Sequence, residues 1–382
     1  MGVEERITNG LLWAVYGDAL GFLKENTDIT VEELNDFTYY YDKDLMVKKP
    51  KGQYSYITEL MLITIKSFLD SAKNFENAID YPRYFEELKL WIHYRHGNPS
   101  NVLEKLGNKN FYRDKFYWDD VRGQGTSRIL PIAMVNKNYY GAEKETYKNL
   151  IYLNRHPRVV LTGLILLRTV HLILERDVSE KEELIQGLKE YLIHLQLNQL
   201  NHGITGGLTR KYKIQFEKEK IDYLMTLDLL ANDKEIIMLN WDCKGVLVYA
   251  LDIFFKLEQR EEIFLNNIPN EDIKEVLTIA YSLWGLMNSE DFGIKNLLKE
   301  EKFIRDMGKY LFKLRNFQIN RTPYEKKEDT INLFDLQKND IIKHNILGTA
   351  KVNDKIETLH HIQLLLETRS GIYTFVKAKG RQ

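Results

Sequence analysis

The chain holds one cysteine, Cys243, among 382 residues. That excludes an intramolecular disulfide framework and any thiolate-bound metal cluster. Flanked by Asp242 and Lys244, it reads as an ordinary reduced thiol, and a reducing cytoplasm is the expected compartment. An excess of one charge is missing too. The 54 Lys and Arg residues face 55 Asp and Glu, a formal net charge of −1, so there is no global electrostatic case for nucleic acid or an acidic membrane. Long apolar runs are scarce. The stretch from Val159 to Leu167 is closed by Arg168 and reads as too short to span a bilayer. The N-terminus does not read as a secretory signal, because Glu4 and Glu5 precede a short apolar run that Asp18 interrupts. Only seven prolines occur, and the glycines gather at a few junctions instead of punctuating short strands.

What remains is helical pattern. Ile57, Leu60, Met61, Ile65, Phe68 and Leu69 share one face at helical spacing. Val159, Leu161, Leu164, Leu167 and Val170 follow Pro157, a favoured first-turn residue. Val246 to Phe254 and Val276 to Trp284 supply two more apolar helices. Helices apolar on several sides belong inside a bundle. From Gln318 onward the pattern changes. Ile362–Leu366 and Ile372–Val376 flank Ser370-Gly371, which predicts a hairpin. The expected organisation is a helical domain over residues 1–317 and a small β-containing extension over 318–382.

The most informative stretch is Gly123-Gln124-Gly125-Thr126-Ser127-Arg128-Ile129-Leu130-Pro131. Glycines two apart free the backbone and leave room for close approach to the amides. At a loop that opens a helix such amides favour an anion, and Arg128 adds charge nearby. A plain turn accounts for Gly-x-Gly equally well.

Two segments taken together carry more weight. Gly17-Asp18-Ala19-Leu20-Gly21 ends an early helix, and Gly123, Gly125, Arg128 and Pro131 mark the central loop. Together they resemble the ADP-ribosylglycohydrolase family over roughly residues 5 to 290, with His156-Pro157 in the place of its later His-Pro. The resemblance implies an all-α ADP-ribosylglycohydrolase-like bundle. It also implies two divalent metals, usually Mg²⁺, that hold an ADP-ribosyl substrate and position water for cleavage at the anomeric carbon. Hard cations need oxygen ligands, chiefly carboxylates. In the family these come from an early Thr-Asp-Asp-Thr and a late Gly-Asp-x-Asp-Thr.

This chain departs from both. The early motif aligns with Ser55-Tyr56-Ile57-Thr58, so Tyr56 and Ile57 replace the aspartates. Counting back from Ser282-Leu283-Trp284-Gly285 places the late motif on Asn270 to Glu275. Asp272 then takes the first acidic position, Lys274 the second and Glu275 the last hydroxyl position. Three of four carboxylates are lost, and an ammonium reverses the local preference for a cation. Glu59, Glu271 or Glu275 would rebuild one weak metal site at most.

The resulting expectation is a metal-deficient member with no cofactor. Its ligand is ADP-ribose, a related nucleotide or an ADP-ribosylated partner, held by Asp18, Gly123, Gln124, Gly125, Arg128, His156 and Lys274. Lys274 is expected to enter the former metal cavity through a non-helical turn before Glu275. The rivals are an active hydrolase that uses Mg²⁺ at an altered site, and a protein-interaction scaffold with a vestigial pocket. Other features read as packing. His93 and His96 lie three apart on an expected helix without an acidic or cysteine partner at metal-like spacing, His360-His361 is a tail pair, and Tyr39-Tyr40-Tyr41 and Phe111 to Trp118 are aromatic clusters.

Overall fold

In the computed structural model, residues 1–27, 40–42, 47–71, 76–204, 208–232, 241–259, 268–288, 298–325 and 332–379 are described. Helix α1 (Val3–Asn26) is buried on nearly every side from Gly10 to Leu23. It lies at the centre of the bundle. Its neighbour is α13 (Asn270–Met287), buried almost throughout from Ile273 to Leu286. The two run antiparallel and very close. A Cβ on Gly17 would stand 2.3 Å from the Leu277 carbonyl oxygen, and one on Gly21 would stand 2.4 Å from the Lys274 Cα. Only glycine permits that approach, which explains the early Gly-Asp-Ala-x-Gly run as a packing motif.

Between them in sequence come β1 (Tyr40–Asp42) and β2 (Val47–Lys49), then α2 (Tyr56–Lys66), β3 (Phe68–Ser71) and β4 (Glu76–Ile79). Next are α3 (Tyr81–Trp91), α4 (Ser100–Gly107), α5 (Lys115–Asp119), α6 (Leu130–Val135) and α7 (Tyr139–Leu153). Helices α8 (Pro157–Arg176), α9 (Lys181–His194), α10 (Leu197–Leu200), α11 (Arg210–Ala231) and α12 (Cys243–Gln259) precede α13, and α14 (Glu301–Arg315) follows it. The helical core expected from the sequence is present, with two additions. β1–β2 and β3–β4 are short antiparallel hairpins. Phe68 and Leu69, expected on the α2 face, belong instead to β3. Helix α2 stops because Ser67 turns its amide onto Thr64 and its hydroxyl onto the Ile63 carbonyl.

By length and composition alone α8 could cross a bilayer, which corrects the reading of that run as too short. It is a core helix, because Val159 to Val170 are packed inside the protein. The tail forms a four-stranded antiparallel sheet in the order β5 (Ile341–His344), β6 (Gly348–Glu357), β7 (His361–Thr368) and β8 (Gly371–Ala378). The hairpin expected at Ser370-Gly371 joins β7 to β8, with Thr368 paired to Gly371. The sheet buries Val352, Leu364, Leu366 and Phe375. It docks on the end of α3: the Val376 amide donates to the His93 carbonyl at 2.7 Å, and Tyr94 packs edge-on against Tyr373.

That docking corrects the pairing of His93 with His96. Helix α3 ends at Trp91, and tight turns carry the chain onward as His93 and Tyr94 donate to the Leu90 and Trp91 carbonyls. His93 packs on Phe334, whereas the His96 ring lies 2.6 Å from Glu59. His361 opens β7 and His360 lies in the turn before it, where its carbonyl accepts from Lys379. Phe111, Tyr112, Tyr117 and Trp118 pack edge-to-face on one another. Tyr39 lies outside the described residues.

Candidate functional site

Three segments converge on the face where α1 meets α13: the start of α2, the Gly123–Arg128 loop and the first turns of α13. The α2 entry is fixed by Asp18, which is fully buried. Its Oδ2 accepts the backbone N–H groups of Ser55 and Thr58, both at 3.0 Å, and its Oδ1 accepts the Ser55 hydroxyl at 2.6 Å. The Ser55 Oγ accepts the Ile57 amide in turn. A carboxylate at a helix N-terminus satisfies orphan donors and complements the macrodipole. Burial nevertheless pushes the Asp18 carboxyl up to about 6, with the Ser55 and Thr58 hydrogen bonds opposing the rise. Asp18 is a helix-capping residue with a strained charge.

The central loop is shaped by its glycines. Gly123 and Gly125 have φ of 52° and 73°. Added Cβ atoms there would meet Val159 at 2.6 Å and Leu60 at 2.8 Å. The loop amides do bind an anion, and that anion belongs to the chain. Glu275 Oε2 accepts the Gly125 N–H at 3.0 Å, and its Oε1 accepts the Ser127 N–H at 2.9 Å. Burial raises the Glu275 carboxyl while those two amides pull it back.

Arg128 is buried under the loop and faces backbone oxygen. It donates to the Gly125 carbonyl at 2.9 Å and the Asn149 carbonyl at 3.2 Å. Gln124 turns to α4, where its Oε1 accepts from the Ser100 amide and hydroxyl. His156 is the N-cap of α8, its Nδ1 accepting from the Arg158 amide and its Nε2 lying 2.9 Å from Gln215. Asp18, Glu275, Tyr56 and Lys274 are therefore brought together. Gln124 and His156 are drawn into neighbouring helix junctions.

Lys274 is buried near Tyr56 and projects from a regular helix. Because α13 begins at Asn270, the non-helical turn expected before Glu275 is absent. Gly21 lets the Lys274 backbone press onto α1, and the side chain then runs along α1 to Glu25. The Nζ donates to Glu25 Oε1 at 2.6 Å and to the Glu271 carbonyl at 2.9 Å, and lies 5.5 Å from the Tyr56 ring centroid. Tyr56 is buried beneath it, with its phenol held up by burial and by the negative field of Glu275, Glu25, Asp18 and Asp272. Asp272 keeps one buried oxygen without a hydrogen bond, 3.9 Å from Arg122. Arg122 itself pairs with Glu271.

These residues do not fit a pair of divalent cations. Tyr56 and the fully buried Ile57 stand at the early acidic positions, and the Lys274 ammonium stands among the remaining acids. The described residues contain no group of three or more His, Cys, Asp or Glu side chains disposed to hold a metal. Glu25 and Arg122 were missed in the sequence because both act across more than a hundred residues, outside any local motif. Gly21, four residues before Glu25, was the available signal.

Comparison with known proteins agrees with this architecture. A solved structure described as an ADP-ribosylglycohydrolase-related protein complex superposes with a TM-score of 0.51 at 12% identity, covering 82% of this chain and 99% of its own. That likeness concerns the fold alone. No curated protein matches the chain. The ADP-ribosylglycohydrolase family model matches residues 1–234, which include α1, the α2 entry and the glycine loop and stop before α13. The chain belongs to the ADP-ribosylglycohydrolase family.

Proposed function

We propose that this chain is a metal-deficient member of its family that recognises ADP-ribose, a related nucleotide or an ADP-ribosylated macromolecule without hydrolysing it. The observation that carries the first half is the Lys274–Glu25 ion pair beside Tyr56. It puts a cation and an aromatic ring where two cations would need four carboxylates. No Mg²⁺ requirement follows, and the reading needs no other cofactor. The recognition half rests on family membership and on a loop whose amides are already shaped for an anion. An entering anionic group would have to displace Glu275. A cytoplasmic setting fits the single buried thiol of Cys243.

One observation favours a second reading. Glu275 already satisfies the Gly125 and Ser127 amides, so a closed, vestigial pocket on an interaction scaffold is self-consistent. Calorimetric titration of ADP-ribose with and without Mg²⁺, followed by a hydrolysis assay on the same samples, separates the readings. Metal-independent binding without turnover supports the first. Absence of binding supports the scaffold, and Mg²⁺-dependent release of ADP-ribose overturns both in favour of an active hydrolase.

A further inference from the structure

Helix α11 is apolar on two opposite sides. Its inner side packs Tyr212, Phe216, Tyr223, Leu227 and Leu230 into the bundle. On its outer side Ile214, Ile221, Met225 and Leu229 are between 39% and 64% exposed. At about 100° per residue these four fall within about 80° of one another, on the side opposite the buried set. A surface helix ordinarily gives that stripe to polar and charged side chains, and a helix that is apolar all round is a buried one. Ile193, on the adjoining α9, is exposed as well. Helix α9 is held against α11 by the Lys189–Asp228 ion pair and by the Lys220 ammonium, which donates to the Leu195 carbonyl at 2.9 Å.

The charges along α11 are ordered. Its first turn holds no acid and carries Arg210, Lys211 and Lys213, with Lys218 one turn on; all four are exposed. Cations at a helix N-terminus oppose the macrodipole. Among the described residues none of the four is ion-paired within the chain. Glu217, exposed in the same half, is taken by Lys220 at 3.1 Å. The acids of the second half are Asp222, which faces Lys244 and Arg158, and Asp228, which faces Lys189. Their side chains nevertheless keep 42% and 55% of their surface in solvent, so each can accept a further cation from outside.

We infer that the outer face of α11 is a homodimer interface, in which the α11 helices of two copies of this chain pack antiparallel about a two-fold axis near Ile221 and Asp222. A two-fold contact must be self-complementary, and this face is. With the axis there, Ile214 falls opposite the partner's Leu229, and the Lys218 stem covers the partner's Met225. Lys218 also comes within one turn of the partner's Asp222. Arg210, Lys211 and Lys213 lie beside the last turn of the partner's α11, where the dipole favours cations and the partner's Asp228 is within a turn of Lys211. Parallel pairing would set the same cations against one another. A formal net charge of −1 leaves little long-range repulsion between copies. The interface is independent of recognition at the glycine loop.

Sedimentation velocity on the full chain, from about 1 to about 100 µM, tests this. A concentration-dependent dimer is expected. Ile221→Glu and Met225→Glu, both at exposed positions, should each weaken it by about tenfold or more and leave the circular dichroism spectrum unchanged. Leu359→Glu, at an exposed apolar residue of the tail, should leave the dimer intact. A short thiol crosslinker then reads the orientation. Ile221→Cys should crosslink beside the axis, whereas Ile214→Cys should not, because two copies of position 214 stand about 22 Å apart along antiparallel helices. The native thiol of Cys243 is buried and stays out of the reaction. A monomer at every concentration, a dimer indifferent to both glutamate variants, or Ile214→Cys crosslinking as readily as Ile221→Cys would overturn the proposal. So would a monomer that binds vesicles of anionic phospholipid through the same face, which would assign α11 to a membrane surface.

Discussion

The Glu275 carboxylate receives the Gly125 backbone N–H at 3.0 Å and so supplies, from α13, the anion that the glycine loop is built to hold. With Ser127 bound to the other oxygen, one side chain ties the loop to the helix. Glutamine at 275 keeps the size but can accept at only one of its two terminal atoms. Glu275→Gln should therefore strand one buried amide and cost about 1–3 kcal/mol of stability in urea denaturation. A loss below experimental error would mean that the loop holds its shape without the glutamate.

Asp18 gives the protein a pH dependence with a definite sign. Its carboxyl titrates at about 6 when folded against the usual 3.8, so the folded state holds the proton more tightly. Its stability contribution is complete below about pH 4 and is lost as pH rises through 6. The rise corresponds to about 3 kcal/mol. Glu275 and Asp272, both raised by burial, act in the same direction. The difference in stability between wild type and Asp18→Asn should accordingly change between pH 4 and 6. A carboxyl resonance for Asp18 titrating near 4 in NMR would show that the hydrogen bonds outweigh burial.

The approach of α1 to α13 leaves no room for a side chain at Gly17 or Gly21. Gly21→Ala would put a methyl 2.4 Å from the Lys274 Cα, and Gly17→Ala would put one 2.3 Å from the Leu277 oxygen. Neither obstacle is the end of a flexible side chain. Each variant should lose about 1–3 kcal/mol through separation of the helices, readable as a lowered denaturation midpoint. Gly107→Ala, with open space around it, serves as the control and should be stable.

Magnesium should have no special effect. The residues at the early acidic positions are a phenol and a buried aliphatic chain, and Lys274 is ion-paired to Glu25. Millimolar Mg²⁺ should leave the melting midpoint where an equal ionic strength of sodium leaves it. A Mg²⁺-specific increase, abolished by Asp272→Asn, would reveal a cation site built on Asp272.

The helical core was legible because its signals are local and periodic. Pro157 after His156 marks the start of α8, and the runs of α12 and α13 are apolar enough to require burial. The hairpin at Ser370-Gly371 was equally local. The end of α2 was not legible, since Phe68 and Leu69 continue the helical spacing and only the Ser67 turn and pairing with β4 remove them from the helix. At the site, motif position pointed to Tyr56 and Lys274, and the Lys274 ammonium lies 5.5 Å from the Tyr56 ring centroid. Sequence could not anticipate that Arg128 would be spent on the Gly125 and Asn149 carbonyls. A charged side chain beside a glycine loop looks the same in sequence whether it faces a ligand or the backbone.

Lys274 and Glu25 make the sharpest test of how the face where α1 meets α13 is held together. Lys274 is almost wholly buried, whereas the Glu25 side chain keeps about a quarter of its surface in solvent. Removing the acid therefore leaves a buried ammonium that keeps the Glu271 carbonyl, the Tyr56 ring and the field of Asp272 but has lost its ion-pair partner. Removing the base leaves a carboxylate that can turn to water. Glu25→Gln should thus cost more than Lys274→Met, by an amount approaching the 3–5 kcal/mol typical of breaking a buried pair. The double variant should recover part of that loss, since methionine fills the lysine's path without needing a partner. In the same samples, Lys274→Met should weaken any binding of ADP-ribose. A double variant no more stable than Glu25→Gln, with ADP-ribose affinity equal to wild type, would show that the pair neither pins α1 to α13 nor faces the ligand.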